Sequence, residues 1–256
     1  RRPIVLAGAL EPLAIGAQNE DDIDVQREAA SCLQALSLNE ENKITVSEGE
    51  ILVDIVNLCE SGDVMVCRQA TSAIANLSEN EVTHDKLLGG WGASFLADAI
   101  DVNTDDAALM REVSRCICNL SANYDTHDTI CSSGCCEALG KAASLGESLA
   151  ARYASLAVMN LATQIDNHSA IMPSGVVEAL VDLAGGEPRP WVVLDTDGNV
   201  VRDPVEEEET DEENPYQKKI TEGMLYDSLG YDRDARRYAA LALGNLAINE
   251  KNHPQL

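Results

Sequence analysis

Four histidines, eight cysteines and a run of carboxylates are the residues of this chain whose types could do chemistry. A nucleophilic Cys–His or Ser–His–Asp site needs its histidine placed within hydrogen-bond reach of the nucleophile. The histidines here follow a different rule. His84, His127, His168 and His253 each lie eight residues after an asparagine, and Lys43 holds the same place in a first, divergent copy. A position that recurs in stacked units puts successive copies about 10 Å apart, the width of a packed helix. A shared metal, with ligands at about 2 Å, does not bridge that distance. The spacing predicts a polar residue near the start of a short helix.

The cysteines sort in the same way. There is Cys116-x-Cys118 and Cys135-Cys136, but no CxxC pair of the kind that zinc or redox sites use. Cys32 and Cys116 fall where other copies have Ala73, Ala157 and Ala242, and Cys118 where they have Ala75, Met159 and Gly244. They are expected as small packing residues of a reduced, intracellular and cytoplasmic chain. Cys131, Cys135 and Cys136 flank Gly134. Asp195, Asp197, Asn199, Asp203 and Glu206 imitate the spacing of a calcium loop, but Val200 stands where that loop needs glycine. No phosphate-binding glycine loop, paired-carboxylate motif or nucleophile elbow is present. The reading is a non-enzyme with no catalytic residue, no metal and no cofactor.

The elements that carry these residues come from a repeat. Arg68 begins Arg-Gln-Ala-Thr-Ser-Ala-Ile-Ala-Asn76-Leu-Ser, and Arg111 leads to Asn119, Arg152 to Asn160 and Arg237 to Asn245 at the same spacing of eight. A divergent copy starts at Arg27 and has Ala35 in place of the asparagine. A polar turn, a short segment and usually a glycine then lead into an amphipathic stretch, as in Gly8-Ala-Leu-Glu-Pro-Leu, Gly49-Glu-Ile-Leu-Val and Gly175-Val-Val-Glu-Ala-Leu. Apolar residues three and four apart predict helices. Each unit is read as a short, a middle and a longer third helix, with the glycine turning the first into the second.

Composition bounds the partners. The chain has 44 acidic against 18 basic residues, a net charge of -26, with 45% hydrophobic and 4% aromatic residues. That is too apolar for disorder. It is too anionic for nucleic acid, whose phosphates call for a cationic surface, or for direct contact with anionic lipid. No apolar run approaches the roughly 20 residues that span a bilayer. The chain opens on Arg1-Arg2-Pro3 without Met, and reads as an excerpt of a longer protein.

Five in-register copies resemble the armadillo-repeat family, over nearly the whole chain. The stretches Gly8-Ala-Leu-Glu-Pro-Leu, Val25-Gln-Arg-Glu-Ala-Ala and Leu38-Asn-Glu-Glu-Asn-Lys are most similar to the vacuolar armadillo adaptors of yeasts. The resemblance implies an all-α, right-handed solenoid whose third helices line a groove for extended peptides. It divides the chain into residues 1–38, 39–79, 80–122, 123–163, 164–248 and the start of a further unit at 249–256. Such stacking suits units that cannot bury an apolar face alone.

By the same resemblance Asn76, Asn119, Asn160 and Asn245 face the groove and clamp a peptide backbone, a task an amide suits because it both donates and accepts. Asn76-Leu-Ser and Asn119-Leu-Ser match a glycosylation pattern in spelling only. Four and eight residues earlier on that helix face come further candidates. Arg27, Arg68, Arg111, Arg152 and Arg237 hold the minus-eight position. Ser31, Ser72, Arg115, Leu156 and Leu241 hold the minus-four position. The arginines suggest either salt bridges to a neighbouring unit, with Glu28 or Glu112 as partners, or a cationic stripe for an acidic segment. Importin-type relatives have Trp at minus-four, and no copy here does.

Residues 187–230 interrupt the last unit with thirteen acidic residues against four basic ones. Trp191 to Arg202 reads as a β-hairpin. Glu206, Glu207, Glu208, Glu209, Asp211, Glu212 and Glu213 form a solvated run that is expected to fold back on the arginines as a regulatory segment. The function expected is that of a monomeric adaptor for extended protein segments, tethered at an organelle membrane if the resemblance holds in full. The alternatives are a nuclear-transport adaptor and the targeting part of a larger enzyme such as a ubiquitin ligase.

Overall fold

The computed structural model describes residues 1–90, 92–103, 105–185, 193–194, 200–202, 232–254 and 256. Its first three helices are α1 (Arg2–Leu6), α2 (Leu10–Ala17) and α3 (Ile23–Ser37). The pattern returns as α4 (Glu40–Glu48), α5 (Ile51–Cys59) and α6 (Val64–Leu77), then as α7 (His84–Leu88), α8 (Ser94–Val102) and α9 (Ala107–Ser121). It returns again as α10 (His127–Cys131), α11 (Cys135–Ser144) and α12 (Ser148–Leu161). The last set is α13 (His168–Ile171), α14 (Val176–Gly185) and α15 (Arg233–Ala247).

Every third helix starts on a carboxylate. Asp22, Asp63, Asp106, Glu147 and Asp232 accept hydrogen bonds from backbone N–H groups two or three residues on. These bonds satisfy donors that the first turn leaves without partners, and a negative charge suits that end of the helix. The turn after the third helix repeats as well. Asn39, Asn80, Asn123 and Asn249 each accept from an N–H two or three residues later and set the chain into the next unit.

Glycine opens the middle helix in two ways. Gly134 and Gly175 have φ of 74° and 78°, which a side chain rarely tolerates. Gly49 sits at φ -85° and ψ 159°, angles open to any residue, although a Cβ there would lie 3.3 Å from Thr45 O.

One continuous core runs the length of the stack. Third helix packs on third helix, α3 on α6, α6 on α9, α9 on α12 and α12 on α15. The facing positions are small: Ala30, Ala73, Ala154, Ala157, Ala239 and Ala242 are all fully buried. Small residues let the helix axes approach, which explains a core with one Phe. Middle helices stack likewise, and α11 passes so near α14 that a Cβ on Gly140 would lie 3.2 Å from backbone atoms of Val176.

Within the insertion, Val193–Leu194 pairs antiparallel with Val200–Arg202, Val193 opposite Arg202 and Leu194 opposite Val200. The turn between them, the calcium-like carboxylates and the run Glu206–Glu213 lie outside the described residues. Helices α14 and α15 still pack together across the insertion. No described helix is long and apolar enough to cross a membrane.

Candidate functional site

The ladder asparagines sit one per unit near the C-terminal ends of α6, α9, α12 and α15. Each reaches back to the preceding third helix. Asn76 Nδ2 donates to Ser37 Oγ at 2.9 Å, Asn119 to Ser78 Oγ at 3.1 Å and Ala75 O at 3.2 Å, and Asn160 to Ser121 Oγ at 3.1 Å. Asn245 Nδ2 donates to Met159 O at 3.1 Å.

The serines settle which way three of the amides point, and the Met159 carbonyl, which only accepts, settles Asn245. Ser37, Ser78 and Ser121 already donate their hydroxyl hydrogens to Gln34 O, Ala75 O and Cys118 O, so they can only accept from the asparagines. The nitrogen of every ladder amide is therefore anchored by the fold, with two bonds on Asn76 and Asn119 and one on Asn160 and Asn245. The oxygen is left facing outward. Among the described residues, nothing donates to Oδ1 of Asn119, Asn160 or Asn245. The nitrogens that glycosylation would need are all engaged.

Asn76 differs. Its Oδ1 accepts from Arg115 Nη2 at 2.9 Å, and the residue is 2% exposed. Arg115 is held there by Glu112, with Nε at 3.0 Å and Nη2 at 2.6 Å, and by Glu79 at 2.9 Å. Glu79 also accepts from Lys43 Nζ at 2.7 Å, and Glu40 accepts from the same Nζ at 2.5 Å. Glu112 in turn takes Arg111 Nε at 3.2 Å. Burial works to lower the charge affinity of Arg115 and Lys43, but their carboxylate partners outweigh it and hold both above their ordinary values. Six charged side chains thus form one chain of ion pairs across two units.

The minus-eight arginines do not form an open cationic stripe. Arg27 grips Asp63 with Nε at 3.2 Å and Nη2 at 2.6 Å. Arg68 takes both carboxylate oxygens of Asp106, and Arg152 takes Asp232 at 2.7 Å. In each case the partner is the N-cap of the next third helix, so one carboxylate both caps its helix and binds the arginine before it. The predicted partners Glu28 and Glu112 are corrected accordingly: Glu112 serves Arg111 and Arg115 of its own helix. The physical reason is reach, since the minus-eight position lies level with the start of the neighbouring helix. Arg237 is exposed and has no ion pair among the described residues.

The charge states follow. The Arg27 guanidinium holds the Asp63 carboxyl below the usual range. Burial tends to raise Asp232, but hydrogen bonds from Arg152, Ala235 N–H and Ser148 prevail and keep it low. Glu147 is the exception. Burial lifts its carboxyl, because Arg111 turns toward Glu112 and gives it no hydrogen bond.

The histidines are structural to a degree that the spacing does not disclose. Nε2 of His84, His127, His168 and His253 lies 2.8–2.9 Å from the carbonyls of Ser78, Ser121, Ala162 and Ala247. A carbonyl only accepts, so Nε2 carries the hydrogen and Nδ1 is an acceptor. Asn167 Nδ2 serves His127 Nδ1, and Asn252 Nδ2 serves His168 Nδ1, both at 3.1 Å. His84 Nδ1 is buried with no partner. All eight cysteines are free, and burial pushes the thiols of Cys67, Cys116 and Cys118 up to about 12. Cys32 is exposed, unlike Ala73, Ala157 and Ala242, because no unit packs before the first one among the described residues. No described group of His, Cys, Asp or Glu is arranged to hold a metal.

A cavity of ≈ 400 Å³ opens between the ends of α6, α9 and α12. Asn119 and Asn160 lie in its wall with Leu156 between them, and Glu79, Glu81 and His84 close one side. Sequence reading singled out the asparagines. It missed Glu79 and Glu81, and it missed the N-cap acids, although an acidic residue stands five before every repeat arginine.

No protein-family model matches the sequence, and no curated protein does. Solved structures do. An engineered protein aligns with TM-score 0.63 at 20% identity, over 94% of this chain and 99% of its own. Computationally designed armadillo repeat proteins for modular peptide recognition align with TM-score 0.62 at 18% identity, over 92% and 99%. A designed armadillo repeat protein in complex with the peptide (KR)4 gives 0.62 at 18%, over 93% and 99%. The fold is an all-α armadillo-repeat solenoid.

Proposed function

We propose that this chain is a non-catalytic adaptor that binds extended segments of other proteins along its third-helix face. The observation that carries the reading is the set of amide oxygens on Asn119, Asn160 and Asn245, aligned one per unit and left without donors. An extended backbone offers N–H groups at regular intervals, and such a row accepts them irrespective of side chain. Likeness to designs made for modular peptide recognition supports the reading.

The charge of the segment follows from the ion pairs. The repeat arginines are already matched by carboxylates, while Glu79 and Glu81 border the open cavity. This moves the expected partner from acidic to neutral or basic, in keeping with the (KR)4 peptide bound by one designed neighbour. A cytoplasmic place, with tethering at an organelle membrane as in the vacuolar adaptors, belongs to the same proposal.

The test has two stages. Partners are captured from the native cell type, and peptides tiled across them are titrated against the wild-type chain and Asn119→Ala by fluorescence anisotropy. Loss of one backbone hydrogen bond is expected to weaken binding by roughly two- to tenfold. Peptides that bind both proteins equally would remove the ladder from the site.

A further inference from the structure

Four ladder asparagines are present, but only three offer an acceptor. The rung at Asn76 is filled from within the chain. Arg115 stands at the minus-four position of its helix, and its Nη2 lies 2.9 Å from Asn76 Oδ1, where a bound backbone N–H would have to come. Asn76 is 2% exposed, while Asn119, Asn160 and Asn245 are only partly buried. The open cavity is lined by Asn119 and Asn160 and not by Asn76. These observations describe one covered rung in three ways.

The next two units show what makes the difference. Leu156 and Leu241 hold the minus-four position there, and Leu156 lines the cavity beside Asn119. A leucine has no donor to offer an amide oxygen, so those rungs stay open. Arg115 also has two anchors that its counterparts lack. Glu112 lies three residues before it on the same helix, and Glu79 lies across the junction. Tyr153 and Ala122 occupy the corresponding places one unit later.

We propose that Arg115 is a specificity-determining residue that ends the binding site. It occupies the Asn76 rung, so a bound segment engages Asn119, Asn160 and Asn245 and stops short of Asn76. The inference rests on the groove reading above and adds the site's limit. It implies that substituting one side chain lengthens the site by a unit. The substitution need not disturb the fold, because Glu79 keeps Lys43 and Glu112 keeps Arg111.

Phage-displayed random 12-residue peptides serve as the probe. They are selected in parallel on the wild-type chain and on Arg115→Leu, with Arg115→Ser as a second variant, since Ser31 and Ser72 hold that position in other units. Circular dichroism checks that each variant is folded. Enriched peptides are then titrated against versions carrying Asn76→Ala or Asn119→Ala. Wild-type-selected peptides should weaken roughly two- to tenfold on Asn119→Ala and stay unchanged on Asn76→Ala. Peptides selected on Arg115→Leu should weaken by that factor on both.

The inference is overturned if wild-type-selected peptides already depend on Asn76, or if those selected on Arg115→Leu and Arg115→Ser ignore it. In either case the groove reading stands, provided Asn119 still matters. Peptides indifferent to every rung would take down the groove reading and the inference together.

Discussion

Thr126→Asn should stabilise this protein. The reason lies in a row of inter-unit bonds that is complete in two places and broken in one. His127 and His168 each donate from Nε2 to a carbonyl and accept at Nδ1 from an asparagine of the following unit. Those asparagines, Asn167 and Asn252, use their second hydrogen on Leu161 O at 2.9 Å and Leu246 O at 2.8 Å. Thr126 occupies the same place one unit earlier, directly before His127 as Asn167 is before His168. Its hydroxyl reaches Leu120 O at 2.7 Å and Asn123 O at 2.8 Å, and a single hydrogen leaves none for His84. His84 Nδ1 is accordingly buried and unpartnered.

An asparagine at 126 would keep the bond to Leu120 O and supply the missing donor. A buried acceptor without a partner costs about 1–3 kcal/mol, and a net hydrogen bond is worth about 1 kcal/mol. The expected gain is about 1 kcal/mol, which for a chain of this size raises Tm by about 2–4 °C. Urea denaturation followed by circular dichroism and calorimetry both read it. Specificity comes from the double variant: in a His84→Leu background the gain should vanish, since no acceptor remains. A gain that survives in that background, or a fall in stability, would refute the account of the row.

Further outcomes follow from named contacts. Asp106→Ala removes a cap and the carboxylate that Arg68 grips, and should cost about 2–3 kcal/mol in urea denaturation, while Asp106→Asn keeps the cap acceptor and should cost about half. Gly140→Ala gains up to about 1 kcal/mol of helix propensity, but its Cβ would press on backbone atoms of Val176 that cannot rotate away, so a net loss of about 1 kcal/mol is expected; Gly244→Ala meets nothing within 4 Å and should gain that amount, with calorimetry separating the two signs. Asp63 and Asp232, held below their ordinary 3.8, give stability that is present above that pH and lost as pH falls through their lowered values. Glu147, lifted above 4.5, works in the opposite sense, because the folded chain holds its proton more tightly and loses stability as pH rises past that value. Glu147→Gln should therefore be more stable than wild type at neutral pH, with the difference fading in denaturation curves below pH 4.5.

The stack was legible in the sequence because its cause is local. An arginine, an apolar run and an asparagine at fixed spacing mark the third helix, and copies in register can bury their faces only by stacking. The short helices and the turn glycines were read from the same signals. Gly49 stands at the expected turn between its two helices, but with negative φ, unlike Gly134 and Gly175. Salt bridges from the arginines to a neighbouring unit were among the expectations, but the sequence did not disclose which residues pair across units. Asp63 and Arg27 are 36 residues apart, and Arg115 and Asn76 are 39. Such pairs are set by how one unit sits on the next, to within an ångström, and periodicity carries no such information.

That difference decides how the candidate site should be understood. Residue type alone gives the ladder four equal amides with donors and acceptors to offer. The fold anchors the nitrogen of all four, through serines whose own hydrogens are committed elsewhere, and through backbone carbonyls of the preceding helix. An amide anchored by its nitrogen cannot swing to meet a ligand, so the oxygens are fixed in direction before anything binds. Preorganised acceptors lose little freedom on binding, which strengthens each contact without adding a new one. The same bonds that hold one unit to the next therefore prepare the face between them. A substitution that loosens the junction should weaken binding even where it touches no ligand, and Ser78→Ala, which removes one of the two acceptors that orient Asn119 and leaves Ala75 O, is the direct case. If Ser78→Ala left the affinity of an Asn119-dependent peptide unchanged, the serine would not set the direction of the amide, and the coupling of junction to site through that bond would fail.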